Sequence, residues 1–313
     1  MHVAILGAGS LGSLFGGLLA REWPVTLIDH EGEHIQAIRE RGLEVAEPDG
    51  DAFHVAPRAT TDHAAVAAAD LLVLTVKSYD TERGMRDVDP YLEDAPVLSL
   101  QNGLGNEETI AEFVPSGQVI GGTTSHGALL EEPGFVRHTG TGDTTIGGYG
   151  TIDEQEAASA PPELSDVAAV FGEAGIETEV VSDVSRAIWE KVLVNVGINA
   201  ATALASVQNG RMEDTTPGRR LLEAAVGEAL EVAEAAGIEF GGEPDPIEVA
   251  KTVARRTGTN RSSMLQDVEA NRRTEIEALN GAIVRRGEEH GVGVPVNRTL
   301  ADCVRLAESA VSG

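Results

Sequence analysis

Lys191, Asn195 and Asn199 stand at i, i+4 and i+8 in the run SRAIWEKVLVNVGINAATAL, residues 185–204. On a helix all three share one face, because side chains four residues apart stack along the axis. Ile188, Trp189, Val192, Leu193, Val196 and Ile198 flank that polar stripe. Burying an ammonium and two amides without partners is costly, so the stripe meets either water or a ligand. Beside a carbonyl, an ammonium stabilises the alkoxide left by hydride addition and supplies its proton. Apolar neighbours lower the pKa of such a lysine by desolvating its charged form. Asparagines one and two turns along the same face could orient a carboxylate or a carbonyl. The stripe suits reduction of a small carbonyl compound.

A hydride donor has its own signature. Gly7-Ala8-Gly9-Ser10-Leu11-Gly12 fits G-x-G-x-x-G between a strand-like HVAIL (2–6) and a helix-like SLFGGLLARE. In that pattern the first glycine makes the tight turn, the second lets backbone approach a pyrophosphate, and the third permits close helix packing. The helix N-terminus then offers N–H groups and a positive dipole end to phosphate. The hexapeptide alone is weak, since glycine-rich turns are common; the strand before and the helix after give it weight. Asp29 ends the second strand, VTLID. A carboxylate there accepts from ribose hydroxyls and favours NAD, whereas an arginine suits the phosphate of NADP. The plainer reading is a strand-end aspartate starting a turn. Lys77 follows the strand DLLVLTV and Asn102-Gly103 follows APVLSL, at carboxyl strand ends that face the ligand crevice of such sheets. For Asn102-Gly103 a turn is fair competition.

The elements that must carry these residues follow from periodicity. The first half alternates strand and helix signals, with further strands at 43–47, 53–57, 70–76 and 95–100, which predicts a mostly parallel sheet. After QVIGGTTSHGALL, the segments GFVRH and TTIGGY read as antiparallel strands with glycine-rich turns. Residues 151–166 read as a polar loop entering a helix that runs to about Gly172, and IETEVV (176–181) as the last strand. From Ser182 the pattern is helical throughout, with Pro217 near one helix start and Gly237 at its end. The expected fold is an α/β Rossmann domain over 1–181, followed by an all-α substrate and catalytic domain over 182–313.

Composition narrows the function classes. The chain has 313 residues, long for one compact core. It carries 51 acidic against 23 basic side chains, net −28, with 20 arginines and three lysines, Lys77, Lys191 and Lys251. Such a surface repels nucleic acid and anionic membranes. The excess is spread along the chain, which favours adaptation to a salt-rich cytoplasm, where a Debye length of about 3 Å at 1 M salt quenches self-repulsion. One cysteine, Cys303, excludes an internal disulfide framework. The sequence opens on a strand without a charged and apolar leader, and no apolar run reaches bilayer-spanning length. The expected compartment is the cytoplasm, the expected partner a small-molecule substrate, and no metal ligand set is assigned. The helical half is a candidate surface for homodimerisation.

The motifs together carry a resemblance. GAGSLG, VKS, QNGLGNEE, GGTTSHGA, IWEKVLVNVGINAATAL, NRSSMLQDVEANRRTEIEALNG and HGVGVPVN resemble the ketopantoate reductase (2-dehydropantoate 2-reductase) family, within the wider 6-phosphogluconate dehydrogenase-like superfamily. SSMLQD…TEIEALNG is the most specific of these. The resemblance implies a Rossmann domain plus a helical domain and reduction of 2-dehydropantoate to pantoate, feeding pantothenate and coenzyme A synthesis. It implies Lys191 as proton donor, and Asn195, Asn199, Asn209 and Ser263 as holders of the substrate carboxylate and hydroxyl. It implies Lys77, Asn102 and Ala128 as cofactor contacts beside the glycine loop. Glu275 would link the substrate hydroxyl to the nicotinamide ribose. On residue physics alone, Ser263-x-x-Gln266 and Thr274-x-x-Glu277 read as capping boxes, and Glu275 as an acid in a first helical turn. His126 reads as structural. The resemblance implies NADP(H), but Asp29-His30 stands where many members place a basic residue, which makes NAD(H) plausible or preferred and leaves the choice between the two open. The alternatives are a reductase of another branched 2-oxo acid and a non-catalytic dinucleotide sensor, which would need neither Lys191 nor Glu275.

Overall fold

The computed structural model describes residues 1–149, 164–241 and 244–309. Most of the polar segment expected at 151–166 lies outside the described residues. The chain divides into two compact units, Met1–Gln101 with Asn106–Ser185, and Asn102–Gly105 with Arg186–Gly313. The short loop from Asn102 belongs with the helical half of the chain, which the expected boundary at 182 did not foresee.

The first unit begins β1 (Val3–Leu6), α1 (Ser10–Leu19), β2 (Val25–Ile28) and α2 (Glu33–Arg41). It continues with β3 (Leu43–Ala46), β4 (Ala52–Val55), β5 (Arg58–Thr60), β6 (Leu71–Leu74), α3 (Thr81–Val88), β7 (Val97–Ser99) and α4 (Asn106–Ile110). Then come β8 (Val119–Thr124), β9 (Gly127–Glu132), β10 (Phe135–Gly140), β11 (Thr144–Gly148), α5 (Leu164–Glu173) and β12 (Thr178–Val181). Among the described residues eight strands form one sheet in the order β12-β11-β8-β7-β6-β1-β2-β5. All neighbours run parallel except β11 against β8.

Every residue of β1, β2 and β6 is buried, as expected of strands covered on both faces. Alternation sorts their side chains onto two cores. Val3, Ile5, Leu71 and Val73 pack with Phe15 and Phe171, while Ala4, Leu6, Leu72 and Leu74 pack with Met85 and Val88. The order reverses between β1 and β6. The segments leaving their carboxyl ends, Gly7 onward and Thr75 onward, therefore meet at a topological switch point, where open α/β sheets bind ligands.

One expectation needs correcting. The segments at 43–47 and 53–57 are not in the parallel sheet; β3 and β4 form an antiparallel hairpin in a second sheet ordered β4-β3-β10-β9. GFVRH and TTIGGY are antiparallel strands as expected: β10 pairs with β9, and β11 pairs with β8. Sequence alternation gives a strand's faces but not its partner.

The second unit holds α6 (Ser185–Ala205), α7 (Arg211–Asp214), α8 (Thr216–Ala235), α9 (Pro246–Arg256), α10 (Ser263–Glu269), α11 (Asn280–His290) and α12 (Pro295–Ser309). Thr215 and Asp245 cap α8 and α9, accepting from Gly218 N–H and Ile247 N–H at 3.1 and 2.9 Å, each followed by a proline in the first turn. Where α6 meets α8, a Cβ on Gly197 would lie 2.7 Å from Val226 Cγ2, so glycine sets how closely these helices approach. Lys251 joins α9 to α8, its Nζ lying 2.6 Å from Glu223 and 2.9 Å from Glu248. Those two carboxylates hold its pKa above the ordinary lysine value. Among the described residues no helix is long and apolar enough to cross a membrane.

Asn297 on α12 is fully buried. Its amide donates to Ala225 C=O and Glu228 at 2.9 Å each, and its carbonyl accepts from Asn280 Nδ2 at 2.9 Å. Replacing it by leucine would leave those partners unmet. We expect Asn297→Leu to cost about 2–3 kcal/mol, read as a lower denaturant midpoint with unchanged slope; an unchanged midpoint would show that the network carries no stability.

Candidate active site

At the switch point of the first unit, Gly7 adopts φ +104°, and a Cβ there would lie 2.6 Å from Val76 N. Only glycine fits between the ends of β1 and β6. Thr75 Oγ1 donates to Gly7 C=O at 2.7 Å. Beside Gly9, by contrast, nothing lies within 4 Å of where a Cβ would stand. The backbone is thus open to an incoming group at the start of α1, whose first N–H groups have no acidic neighbour in that turn. A pyrophosphate fits this cradle. Gly12 is buried against Gly7 and Thr75 and tolerates no side chain. Ser10 Oγ accepts from Leu130 N–H at 3.1 Å, which brings β9, the strand carrying Ala128, to the start of α1. Leu11 is half-buried behind the loop.

Asp29 lies beside the same loop. One carboxylate oxygen accepts from Ala8 N–H at 2.6 Å and the other from His30 N–H at 2.7 Å. His30 Nδ1 also meets Oδ1, at 2.5 Å, so of about four acceptor positions one remains for a ribose hydroxyl. The nearest following arginine, Arg39, pairs with Glu31 at 2.9 Å and donates to Ala59 C=O at 3.0 Å. It is engaged with its own neighbours rather than directed at Asp29.

His34 Nε2 lies 2.8 Å from Ser13 Oγ, and its Nδ1 accepts from Gly134 N–H at 2.9 Å; burial holds its pKa below the ordinary value against the pull of Asp29. His126 and His138 face each other at 2.9 Å between Nδ1 and Nε2, and Phe15 packs edge-on to His126. Burial lowers the pKa of both. The packing of the pair against the Phe15 ring supports the structural reading of His126.

In the second unit α6 displays Lys191 and Asn195 half-buried and Asn199 buried. Burial pushes Lys191 from the ordinary 10.5 down to about 8, while the charge of Glu275 pulls it back up. Glu275 is 6% exposed, and Asn102 Nδ2 donates to its Oε2 at 3.3 Å. Asn102 is held in turn by the turn it starts: Leu104 N–H donates to Ala278 C=O at 2.9 Å. Gly103, at φ +93°, passes so close that a Cβ would lie 2.5 Å from Ala278 Cβ and its carbonyl oxygen.

That contact explains a correction. Thr274-x-x-Glu277 is not a capping box, because α11 starts only at Asn280. The Ala278 carbonyl is taken by Leu104, and Ala282 N–H turns to Leu279 C=O instead. Glu277 pairs with Arg305 at 2.7 Å. Ser263 is likewise not the cap of α10. The cap is Ser262, which accepts from Leu265 N–H at 3.1 Å and meets Thr202 Oγ1 of α6 at 2.8 Å. The tertiary bond to Thr202 selects Ser262 and leaves Ser263 exposed in the first turn. Asn209 donates to Thr257 Oγ1 at 3.0 Å and keeps a buried carbonyl oxygen with no protein partner.

The first unit thus brings together Gly7–Gly12, Asp29, the strand end leading to Lys77, and the strand of Ala128. The second brings together Lys191, Glu275 and Asn102, with Asn195 and Asn199 farther along α6. Reading the sequence missed Thr202, Ser262 and Thr257, and also a buried chain formed by Ser99, Gln101, Thr81 and Asn106. Thr202 and Ser99 are polar within apolar stretches, a weak signal; Thr81, Asn106, Thr257 and Ser262 lie in polar segments and carry none.

A dinucleotide cradle at the switch point of a parallel sheet, joined to a helical unit with a desolvated lysine facing a carboxylate, defines a nicotinamide-dependent oxidoreductase. The model of ketopantoate reductase PanE/ApbA matches residues 3–150, and that of its C-terminal domain matches residues 183–308. The chain belongs to the ketopantoate reductase family. It is 51% identical to a 2-dehydropantoate 2-reductase of Halobacterium salinarum, over 98% of this chain and 99% of the relative. With its counterpart in Pyrococcus horikoshii it shares 36% identity over 100% and 99%. Among solved structures, a PanE/ApbA family ketopantoate reductase from Ralstonia eutropha superposes with a TM-score of 0.89 at 33% identity, covering both chains fully. A D-mandelate dehydrogenase with NADH and anilino(oxo)acetate also gives 0.89, at 29% identity over the full length of both.

Gly103 tests the local clamp. Gly103→Ala should displace the Asn102 amide from Glu275 and strain a left-handed backbone, costing about 1–3 kcal/mol and lowering kcat/KM by about tenfold or more. Thermal melts and steady-state rates measured together check this; full activity would show that the clamp does not govern Glu275.

Proposed function

We propose that this chain reduces 2-dehydropantoate to (R)-pantoate with a reduced nicotinamide dinucleotide, the step that feeds pantothenate and coenzyme A synthesis, and that it works in the cytoplasm. The observation that carries this reading is the lowered pKa of Lys191 opposite Glu275, in a chain similar over its full length to 2-dehydropantoate 2-reductases. Residues 1–181 bind the dinucleotide, and residues 182–313 supply the substrate and proton-donor groups. When bound, the dinucleotide supplies the hydride. Lys191 neutralises charge developing on the carbonyl oxygen and delivers a proton to it. Asn195, Asn199, Asn209 and Ser263 hold the substrate carboxylate and hydroxyl, and Glu275 accepts from the substrate hydroxyl and the nicotinamide ribose. Gly7, Ala8, Gly9, Ser10, Leu11 and Gly12 hold the pyrophosphate, with Lys77, Asn102 and Ala128 beside it. Asp29 holds the adenosine ribose and favours NADH, since a carboxylate repels a 2′-phosphate.

A second reading has one observation in its favour, the similarity to a D-mandelate dehydrogenase seen with NADH. On that reading the substrate is another branched 2-oxo acid. A methylene more or less changes binding by only about 1–3 kcal/mol, so pocket shape decides between them. Comparing kcat/KM for 2-dehydropantoate and for a phenyl-substituted 2-oxo acid, in molar KCl, discriminates the two.

Protonated Lys191 is the donor, so kcat/KM for reduction should be level below about pH 8 and fall about tenfold per unit above it, as the ammonium is lost. Lys191→Ala should abolish turnover while dinucleotide still binds. Turnover like that of the unmodified enzyme would remove the lysine from the chemistry. For the cofactor, oxidation of NADH should exceed that of NADPH, and Asp29→Ala should bring the two rates together; an unchanged ratio would place Asp29 away from the ribose.

A further inference from the structure

Lys77 follows β6 in the first unit, and the backbone on both sides of it is held from below by a chain of buried polar side chains. Gln101 is 7% exposed, Thr81 1% and Ser99 0%. Ser99 Oγ donates to Gln101 Oε1 at 3.3 Å. One amide hydrogen of Gln101 goes to Val76 C=O at 2.9 Å, and the other goes to Thr81 Oγ1 at 2.7 Å. Thr81 Oγ1 then lies 3.0 Å from Ser78 C=O and 3.1 Å from Asn106 Oδ1. The carbonyls of Val76 and Ser78 are those of the residues flanking Lys77. The Gln101 amide is fully committed, each hydrogen to its own acceptor and the oxygen to Ser99, which fixes its orientation, while the single Thr81 hydroxyl hydrogen is shared between Ser78 C=O and Asn106 Oδ1.

Helix capping alone does not account for the arrangement. Thr81 opens α3 without capping it, because the residue at the cap position is Asp80, and its side chain makes no cap bond. A valine and a methionine there would leave the Val76 and Ser78 carbonyls without these side-chain donors, so the loss falls on the backbone that flanks Lys77. What the polar chain adds is a defined backbone on either side of one residue.

We propose that Thr81 and Gln101 are positioning residues for Lys77, fixing the Val76 and Ser78 carbonyls so that the lysine is presented from the carboxyl end of β6 in one orientation. The inference rests on the reading of Lys77 as a ligand contact, and the experiment separates the two. Dinucleotide affinity by fluorescence titration and kcat/KM are measured for Lys77→Ala, Thr81→Val, Thr81→Ser, Gln101→Met and the double variant Lys77→Ala/Thr81→Val, with thermal melts alongside.

We expect Thr81→Val and Gln101→Met to lower kcat/KM by about tenfold or more, since small misplacements of a positioned group are costly. Thr81→Ser, which keeps the hydroxyl, should restore it. The double variant should be no worse than Lys77→Ala, because the network acts through the lysine. Multiplicative losses in the double variant would overturn the proposal by showing a general structural effect. So would wild-type activity in both Thr81→Val and Gln101→Met while Lys77→Ala is impaired. Wild-type behaviour of Lys77→Ala would overturn the ligand-contact reading itself, and the positioning role with it. Should Thr81→Val melt out early, Gln101→Met and the rescue by Thr81→Ser carry the decision.

Discussion

A charged lysine on a helix packed with apolar side chains depends on the carboxylate that faces it. Desolvation favours the neutral amine at Lys191, and Glu275 favours the ammonium; the balance falls near pH 8. The folded pKa lies below the unfolded one, so the cost of the buried charge is fully present below about pH 8. It is relieved as pH rises from there toward 10.5. On the proposed mechanism that balance leaves the proton easy to give up near neutrality. Glu275 is itself fixed by the Asn102 amide, the left-handed Gly103, and the bond from Leu104 to Ala278.

The surplus of acid elsewhere follows a different rule. Among the described residues the ion pairs are mostly arginine with glutamate at exposed positions, and pairs of that kind contribute about 0–1 kcal/mol each. A net charge far from zero favours solubility rather than the fold. Two of the three lysines break the pattern for local reasons. Lys251 places a compact charge between Glu223 and Glu248, a task suited to an ammonium, whereas a planar guanidinium favours forked pairing with one carboxylate. Lys191 has a pKa that burial moves, which a guanidinium would not allow.

Much of this was legible in the chain. The glycine loop, the buried strands before and after it, and the helical second half follow from periodicity and from glycine and proline placement. The i, i+4, i+8 spacing of Lys191, Asn195 and Asn199 puts them on one face of α6. Other features were not legible. Ser263 and Ser262 are chemically alike, and only the hydroxyl of Thr202 decides which of them caps α10. The hairpin of β3 and β4 alternates as a parallel edge strand would, yet it joins another sheet. Gln101 carries no signal of its own in the sequence, although its amide donates to the Val76 carbonyl and the Thr81 hydroxyl at the end of the sheet.

The sequence by itself determined the local elements, because strand and helix periods, caps and glycine turns are set by neighbours a few residues apart. It also determined the chemical inventory: one lysine among apolar residues, a carboxylate in TEIEALNG, and a glycine cradle. Tertiary structure alone decided which groups meet. Asn102 reaches Glu275 because Gly103 lets two backbones approach and because Leu104 takes the carbonyl of Ala278 away from the helix it would otherwise begin. Such contacts join residues far apart in the chain. They are fixed by packing and by the need to satisfy each buried polar group, constraints that no local spacing encodes.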